Sequence, residues 1–290
     1  MINRSMQTVT INGLSARGGS VSLETDLLSN SLNAFIEVWY LGAYDNLDPG
    51  LGGVIIDAGA NVGDFTLKAS KWVGDRGIVV AIEPVPRFLS LLKRNLSRNR
   101  ISNVMVVDKA IGDGKTTIGI EGGEAETVMM DELLDELGIS RVDSVKLDIE
   151  GAELLAIEGG TNMVKRAKHF SVETHSDELR QKVARILGSE GYRVYRPSMP
   201  SLVKKMGIRL LNNPRPFVVT ETGRIRSWDL TKGPFSWNIA RWLYQRKKPD
   251  WFSPQSGLVL LAADRSRTFR SSDELGECGA MPSAQLPQNP

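Results

Sequence analysis

The strongest constraint on the fold is a regular alternation of short apolar runs with amphipathic stretches between residues 54 and 196. The first run, "VIIDAGA", is followed by "DFTLKASKWVG", in which apolar residues recur at helical spacing: Phe65, Ala69, Trp72 and Val73. Strands that alternate with helices of this length form a mostly parallel sheet covered on both faces. The sequence therefore predicts an α/β fold.

The same rhythm continues along the chain. "GIVVAIEP", "NVMVVDKAIG", "SVKLDIEG" and "HFSVETH" are predicted as the next four strands, and "YRVYR" and "GLVLLAAD" as two more. Helices are predicted in "PRFLSLLKRNLSRN", in "AELLAIEGGTNMVKRA" and in the stretch that carries Leu179, Val183, Ile186 and Leu187 on one stripe.

Polar residues end each apolar run. Open α/β sheets bind ligands at the carboxyl ends of their strands, near the point where strand order reverses. The candidate positions are Asp57 to Gly63, Glu83, Asp108, Asp148 to Gly151, and Glu173 to His175. We therefore expect these residues to form one site and to lie outside the core.

The first of these positions is a glycine loop, with Gly59 and Gly63 between strand and helix. Glycine permits a tight turn and close approach of a ligand, and the N–H groups of the following helix point to the same place. A dinucleotide loop would carry glycine in place of Asn61, which disfavours an NAD-dependent oxidoreductase. Glu83 ends the second strand, where it could accept ribose hydroxyls or cap the helix near Pro86.

Four segments in order, "VIIDAGANVGDFT", "VVAIEPVPRFLSLLKRNLSRN", "KLDIEGAELLAIEGG" and "SVETH", resemble the FkbM-type methyltransferases over roughly residues 33 to 196. The resemblance implies the class I methyltransferase (Rossmann-like) fold, a seven-stranded, mostly parallel sheet with an antiparallel last strand and helices on both faces. It also implies S-adenosylmethionine as cofactor and an oxygen of a sugar, a polyketide or another small molecule as methyl acceptor.

The resemblance also assigns cofactor-binding residues by position. The loop matched to the methionine part of the cofactor contains Asp57, Gly59, Asn61 and Gly63. Glu83 matches the ribose-binding acid, and Asp108 lies where this fold usually contacts the adenine.

The candidate catalytic residues are Asp148 and Glu150 after the fourth strand and Glu173 and His175 after the fifth. Residues two apart share a face while the chain stays extended, so each pair is predicted to point the same way. A methyl transfer to oxygen needs a base, and an imidazole titrates near neutrality. Asp148 could instead bind the cofactor's amino group, and Glu150 could cap the helix near Ala152. The cluster would also suit a divalent metal, although no ligand is assigned.

Residues 198–250 separate the last two predicted strands and hold eleven Lys or Arg against three acids, in a chain whose net charge is +2. Four of the six tryptophans lie in or beside this segment. Basic residues with interleaved aromatics can bind an anionic membrane surface, a lipid-linked substrate or nucleic acid. The lack of an RNA-binding motif disfavours nucleic acid. A solvated insert, or a non-catalytic module that docks through it, is the alternative.

The 290 residues suffice for one large domain. We divide the chain into an N-terminal lead-in (1–50), a methyltransferase domain (51–263) with the basic aromatic insert, and a loose polar tail (264–290). One cysteine, Cys278, excludes an intrachain disulfide, and neither a signal peptide nor a long apolar run is seen. The sequence therefore predicts a cytoplasmic protein, with peripheral membrane contact through the insert.

Overall fold

A computed structural model describes residues 8–17, 19–26, 34–35, 37–195, 217–220, 225–227 and 259–264. Its strands in chain order are β1 Thr8–Ala16, β2 Gly19–Asp26, β3 Val54–Ala58, β4 Ile78–Ile82, β5 Val104–Val107, β6 Ala110–Ile111, β7 Thr117–Ile120, β8 Gly123–Val128, β9 Ser144–Leu147, β10 His169–Thr174, β11 Arg193–Tyr195, β12 Phe217–Thr220, β13 Ile225–Ser227 and β14 Val259–Asp264. The α-helices are α1 Asp64–Val73, α2 Pro86–Arg98, α3 Met130–Glu136, α4 Glu153–Glu158, α5 Thr161–Arg166 and α6 Asp177–Ser189. A π-helical turn, Glu37–Leu41, and a 3₁₀ turn, Asp45–Leu47, precede β3.

The central sheet has seven strands in the order β11-β14-β10-β9-β3-β4-β5. Its pairings are parallel except for those of β14, which runs antiparallel to β10 and β11. β4 and β5 follow on one side of β3, and β9 then pairs with β3 on its other side. Strand order therefore reverses between β3 and β9, and the expected class I methyltransferase fold is confirmed.

The first central strand shows why this sheet needs helices on both faces. Successive side chains of a strand point to opposite faces. In β3, Ile55 belongs to one apolar cluster, which includes Phe65 of α1 and Leu92 of α2. Ile56 belongs to the other cluster, which includes Ile157 of α4. Both isoleucines are 0% exposed, so a continuous apolar run, without polar alternation, is what this position requires.

Two predicted elements are each divided in two. The single helix expected from Ala152 is wrong, because α4 and α5 are separate helices on either side of Gly159 and Gly160. A Cβ at Gly160 would lie 2.6 Å from the backbone oxygen of Ala156, so the break needs a small residue. The predicted third strand is also divided. β5 stays in the central sheet, whereas β6 pairs with β8 in a second, three-stranded sheet of order β6-β8-β7.

The N-terminal residues form more than a lead-in. β1 and β2 pair as an antiparallel hairpin, and β12 and β13 extend it into a sheet of order β13-β12-β1-β2. Strands from within 198–250 thus complete an N-terminal sheet. The four tryptophans in or beside 198–250, ten of the eleven Lys and Arg residues of that segment and the tail after Asp264 lie outside the described residues. Within the described ranges, no helix combines the length and apolar character needed to cross a bilayer.

Candidate active site

The glycine loop connects β3 to α1 and takes its shape from contacts with two neighbouring strands. The backbone N–H groups of Gly59 and Ala60 both donate to the oxygen of Ile82, at 3.0 Å. Gly59 has φ +79°, and a Cβ there would lie 1.8 Å from the backbone oxygen of Asp148. Asn61 has φ +51°, a left-handed conformation that asparagine tolerates better than most residues. Only glycine at position 59 lets the ends of β3 and β9 approach this closely.

Glu83 braces the same loop from the end of β4. Its Oε2 accepts a hydrogen bond from the backbone N–H of Asn61 at 2.7 Å, and its Oε1 accepts one from that of Val85 at 2.8 Å. Burial raises the pKa of Glu83, although both hydrogen bonds oppose the rise. Val85 is the N-cap of α2, so the structure agrees with the capping alternative. Each carboxylate oxygen retains a second lone pair.

A cavity of about 320 Å³ lies beside this loop, at the low end of the roughly 300–1,000 Å³ typical of small-molecule sites. Its polar lining includes Gly59, Asn61, Glu83, Lys109, Glu121, Asp148 and Glu150. Its apolar lining includes Ile82, Val85, Phe88, Ile111, Ile118 and Ile120. An ion pair of 2.8 Å between Arg87 and Glu121 ties the β7–β8 hairpin to the start of α2. The cavity lining therefore combines acidic and apolar side chains.

Asp57 does not line this cavity. The expectation that it lies outside the core is wrong, because Asp57 is 0% exposed within β3. Its carboxylate accepts a hydrogen bond from the hydroxyl of Thr66 and lies 3.4 Å from Nζ of Lys146. The apolar run that contains Asp57 gave no sign in the sequence that this acid is buried beside a lysine.

Lys146 joins the buried acid to the loop. Its side chain is only 4% exposed, and Nζ donates to the backbone oxygen of Gly59 at 2.9 Å and lies 3.4 Å from Oδ2 of Asp148. Although burial lowers the pKa of Lys146, the carboxylates of Asp148 and Asp57 raise it above its usual value. Lys146 is therefore a buried ammonium that connects β3, the glycine loop and β9.

Two other predicted cofactor residues also lie outside the cavity lining. Gly63 is the N-cap of α1 at φ +91°, and a Cβ there would lie 2.6 Å from Cδ1 of Leu92, so this glycine permits α1 to pack on α2. Asp108 is exposed because β5 ends one residue earlier, and the next residue, Lys109, lines the cavity instead. The placement of Asp108 in the adenine-binding part is not supported.

Asp148 and Glu173 lie at neighbouring strand ends, and a tyrosine from the N-terminal region lies between them. The hydroxyl of Tyr44 is 3.5 Å from Oδ2 of Asp148 and 3.4 Å from Oε2 of Glu173. Burial and the nearby Asp148 carboxylate raise the pKa of Glu173 well above its usual range. Sequence reasoning missed Tyr44, because no spacing relates the lead-in segment to the ends of β9 and β10.

The expectation that Asp148 and Glu150 share one face is wrong. β9 ends at Leu147, and Glu150 adopts φ +53° in the turn that follows, so the chain is no longer extended. The side chain of Glu150 is 88% exposed, whereas that of Asp148 is 28% exposed. Both residues still line the cavity, but Asp148 directly follows β9, whereas Glu150 lies in the turn after it.

His175 is paired with an acid that the sequence analysis did not single out. Its Nε2 lies 3.6 Å from Oε1 of Glu153 and 3.9 Å from Oε2 of Glu150. The Glu153 side chain is 0% exposed, and the same Oε1 accepts hydrogen bonds from the backbone N–H groups of Ile149 and Gly151 at 3.1 Å. The Glu153 carboxylate raises the pKa of His175. Glu153 thus holds the turn after β9 and places its charge beside the imidazole.

A metal centre has no support in the described part of the chain, where no group of three or more His, Cys, Asp or Glu side chains could hold an ion. Asp148, Glu173 and His175 are close to one another but form other contacts: Lys146, Tyr44 and Glu153 respectively.

The family model of the methyltransferase FkbM domain matches residues 57–194. We call this matched range, residues 57–194, the FkbM domain. This range spans the glycine loop, the cavity and both acidic strand ends, so the FkbM domain holds every candidate site residue except Tyr44. The FkbM domain is an S-adenosylmethionine-dependent methyltransferase. No curated protein matches the chain in sequence.

Solved structures similar to this chain include three methyltransferases or related proteins. Precorrin-6y C5,15-methyltransferase from Geobacter metallireducens has 15% identity and a TM-score of 0.43, over 79% of this chain and 88% of that one. An S-adenosylmethionine-dependent O-methyltransferase from Thermotoga maritima has 15% identity and a TM-score of 0.42, over 86% and 75%. Fibrillarin from Aeropyrum pernix with bound S-adenosyl-L-methionine has 15% identity and a TM-score of 0.36, over 50% and 60%.

Proposed function

We propose that the FkbM domain transfers a methyl group from S-adenosylmethionine to a hydroxyl oxygen of a small molecule or glycan. The observation that carries this proposal is the cavity itself. Glu83 and Asn61 line it together with apolar side chains, and Asp148 lines it from the neighbouring strand end. The same cavity is thus lined by residues suited to a nucleoside-containing cofactor and by a carboxylate that can accept a proton.

The residues that line the cavity fit this cofactor. The second lone pairs of Glu83 would accept the ribose hydroxyls, and Phe88, Ile111 and Ile118 offer the apolar contacts that an adenine requires. Bound S-adenosylmethionine supplies a methyl group on a positively charged sulfur. Asp57 and Lys146 would support the cofactor indirectly, because they hold the backbone of Gly59 in place.

Asp148 is the best-placed proton acceptor for the substrate hydroxyl, because it lines the cavity and lies at the end of β9 beside the buried ammonium of Lys146. His175 is the second candidate. Glu153 shifts the pKa of His175 upward, which favours the protonated imidazole and makes it less available as a base. Geometry and charge therefore both favour Asp148.

The acidic side chains of the site also limit which molecules can be the methyl acceptor. The carboxyl groups of Asp148 and Glu173 lie on either side of the Tyr44 hydroxyl, with Lys146 as the buried cation beside them, and Glu150 also lines the cavity. Neutral hydroxyl groups can donate to these oxygens, whereas an anionic group would be repelled. A polyhydroxylated acceptor such as a sugar suits this surface. Contact with an anionic membrane or lipid-linked acceptor through 198–250 rests on the charge of that segment alone.

Replacing Glu83 with alanine tests the cofactor site. We expect the affinity for S-adenosylhomocysteine to fall by about 1–3 kcal/mol, because hydrogen bonds to a charged group are lost and the loop at Asn61 loses its brace. Isothermal titration calorimetry measures the change, with NAD as a second ligand that should not bind. Glu178→Ala, on the surface of α6, is the matched control. Unchanged affinity in a folded Glu83→Ala protein would remove Glu83 from the site.

Replacing Asp148 with asparagine tests the chemistry. We expect turnover to fall by about 10²–10⁴-fold, the usual contribution of a general base, with a smaller effect on cofactor affinity. Small-molecule and glycan extracts would be incubated with methyl-labelled S-adenosylmethionine, and the labelled products would be followed by mass spectrometry. His175→Gln should reduce turnover less than Asp148→Asn. The opposite ranking would assign the base to His175, and near wild-type turnover in Asp148→Asn would refute its role.

A further inference from the structure

We infer that Tyr44 is a positioning residue of the methyl-transfer site, where its hydroxyl joins Asp148 to Glu173 so that the two carboxyl groups share one proton. This inference rests on the proposed function, in which Asp148 takes the proton of the acceptor hydroxyl. It adds to the site a residue from the segment that precedes the FkbM domain.

The first support is the position of the hydroxyl between two acids. It is 3.5 Å from Asp148 and 3.4 Å from Glu173, on two different strands. Tyr44 is 4% exposed, and its ring packs edge-to-face on Phe65 with 5.3 Å between centroids. Nζ of Lys146 lies 5.4 Å from the centroid of the Tyr44 ring. A buried phenol in these surroundings has the carboxyl groups as its hydrogen-bonding neighbours.

The second support is that the residues after Tyr44 are fastened to the domain on two sides. Lys68 of α1 donates to Asp45 at 2.8 Å. Asn46 donates to the backbone oxygen of Phe170 at 3.2 Å and accepts from the hydroxyl of Ser171 at 3.0 Å. Because α1 and β10 hold the adjoining residues, the position of the Tyr44 hydroxyl is set by the tertiary structure.

The third support is the electrostatic environment. Burial, Asp148 and Glu37 raise the pKa of Glu173, opposed by Lys146, so the site favours the neutral form of Glu173. Burial, Asp148 and Glu173 raise the pKa of Tyr44, so its hydroxyl keeps its proton. The neutral carboxyl of Glu173 can then donate to Tyr44, and Tyr44 can donate to Asp148. Each of the two protons in this chain has one acceptor.

The same chain provides a route for the proton that the reaction releases. One proton passes from the acceptor hydroxyl to Asp148. The partly exposed Glu173 releases its proton to water. Asp148 then passes a proton to the Tyr44 oxygen while Tyr44 passes its own proton to Glu173, so that Asp148 is again a carboxylate and Glu173 again a neutral acid. One proton enters the cluster and one leaves, so its net charge is the same before and after. Tyr44 makes this exchange possible by contacting both acids.

The test uses Tyr44→Phe, which keeps the ring on Phe65 and removes only the hydroxyl. Infrared difference spectroscopy of the full-length protein, recorded across a pH titration, detects protonated carboxyl groups. Asp64, whose pKa burial raises to about 7, contributes to this signal near neutral pH. We expect a further band from Glu173, which Glu173→Gln should abolish. In Tyr44→Phe the band should move to higher frequency, because the carboxyl loses a hydrogen-bond partner. Tyr40→Phe, a buried tyrosine whose ring packs on Phe35, should leave it unchanged.

Calorimetry with S-adenosylhomocysteine separates this inference from the proposed function. No binding by the wild-type protein would contradict the proposed function. Normal binding together with an unchanged carboxyl band in Tyr44→Phe would overturn the inference alone. The inference would also fail if Glu173→Gln left the band in place, because Glu173 would then not hold the shared proton.

Discussion

Gly59→Ala is expected to lower the free energy of unfolding by about 2–6 kcal/mol. A non-glycine residue in a left-handed conformation costs about 1–3 kcal/mol. A backbone shift forced by an extra carbon in a packed region costs about 1–3 kcal/mol more. At Gly59 both apply, since φ is +79° and the new Cβ would lie 1.8 Å from the backbone oxygen of Asp148.

Chemical denaturation measures this loss, and calorimetry with S-adenosylhomocysteine should show that cofactor affinity falls with it. Gly138→Ala is the matched control, because Gly138 has φ +68° but a Cβ there would meet nothing within 4 Å. We expect the control to show only the cost of the backbone conformation. Equal losses in the two variants would mean that the contact between β3 and β9 does not explain the requirement for glycine.

Lys146→Met is expected to destabilise the protein by about 3–5 kcal/mol, the usual cost of removing one partner from a buried ion pair. Methionine can fill most of the space of the lysine side chain, so the loss would come from charge. Asp57 would remain 0% exposed without its cation, and the backbone oxygen of Gly59 would lose its donor. Lys182→Met, which breaks an exposed pair with Glu178, should leave the stability nearly unchanged, because water and salt screen exposed ion pairs.

The loss in Lys146→Met should depend on pH. Burial raises the pKa of Asp57, and removal of the cation would raise it further. A group with a raised pKa in the folded state contributes stability below its unfolded pKa and loses it as the pH rises through the folded value. The deficit relative to wild type should therefore be small in acid and grow toward neutral pH. Denaturation curves at several pH values measure it, and a constant deficit would show that Asp57 is not the group affected.

The residues changed in these two variants also show which parts of the site could be predicted from the sequence. Gly59, Glu83 and Asp148 were predicted from strand-end polarity, and all three line the cavity. Local order sufficed for them, because parallel strands in a switched order bring their carboxyl ends together whatever the loops contain. Asp57 was misplaced because an acid at a strand end gives the same sequence pattern whether it faces a cleft or a buried lysine.

The sequence alone determined the central sheet, its strand-to-helix alternation and the edge at which the site forms, because these follow from periodic apolar residues and from glycine at tight turns. The tertiary structure decided the rest. Tyr44 and Asp148 are 104 positions apart, and β1 pairs with β12 across most of the chain. No local sequence pattern encodes such contacts, because they depend on the path that the backbone takes between the two segments. The raised pKa of Glu173 likewise comes from burial and neighbouring charge, which exist only once the chain has folded.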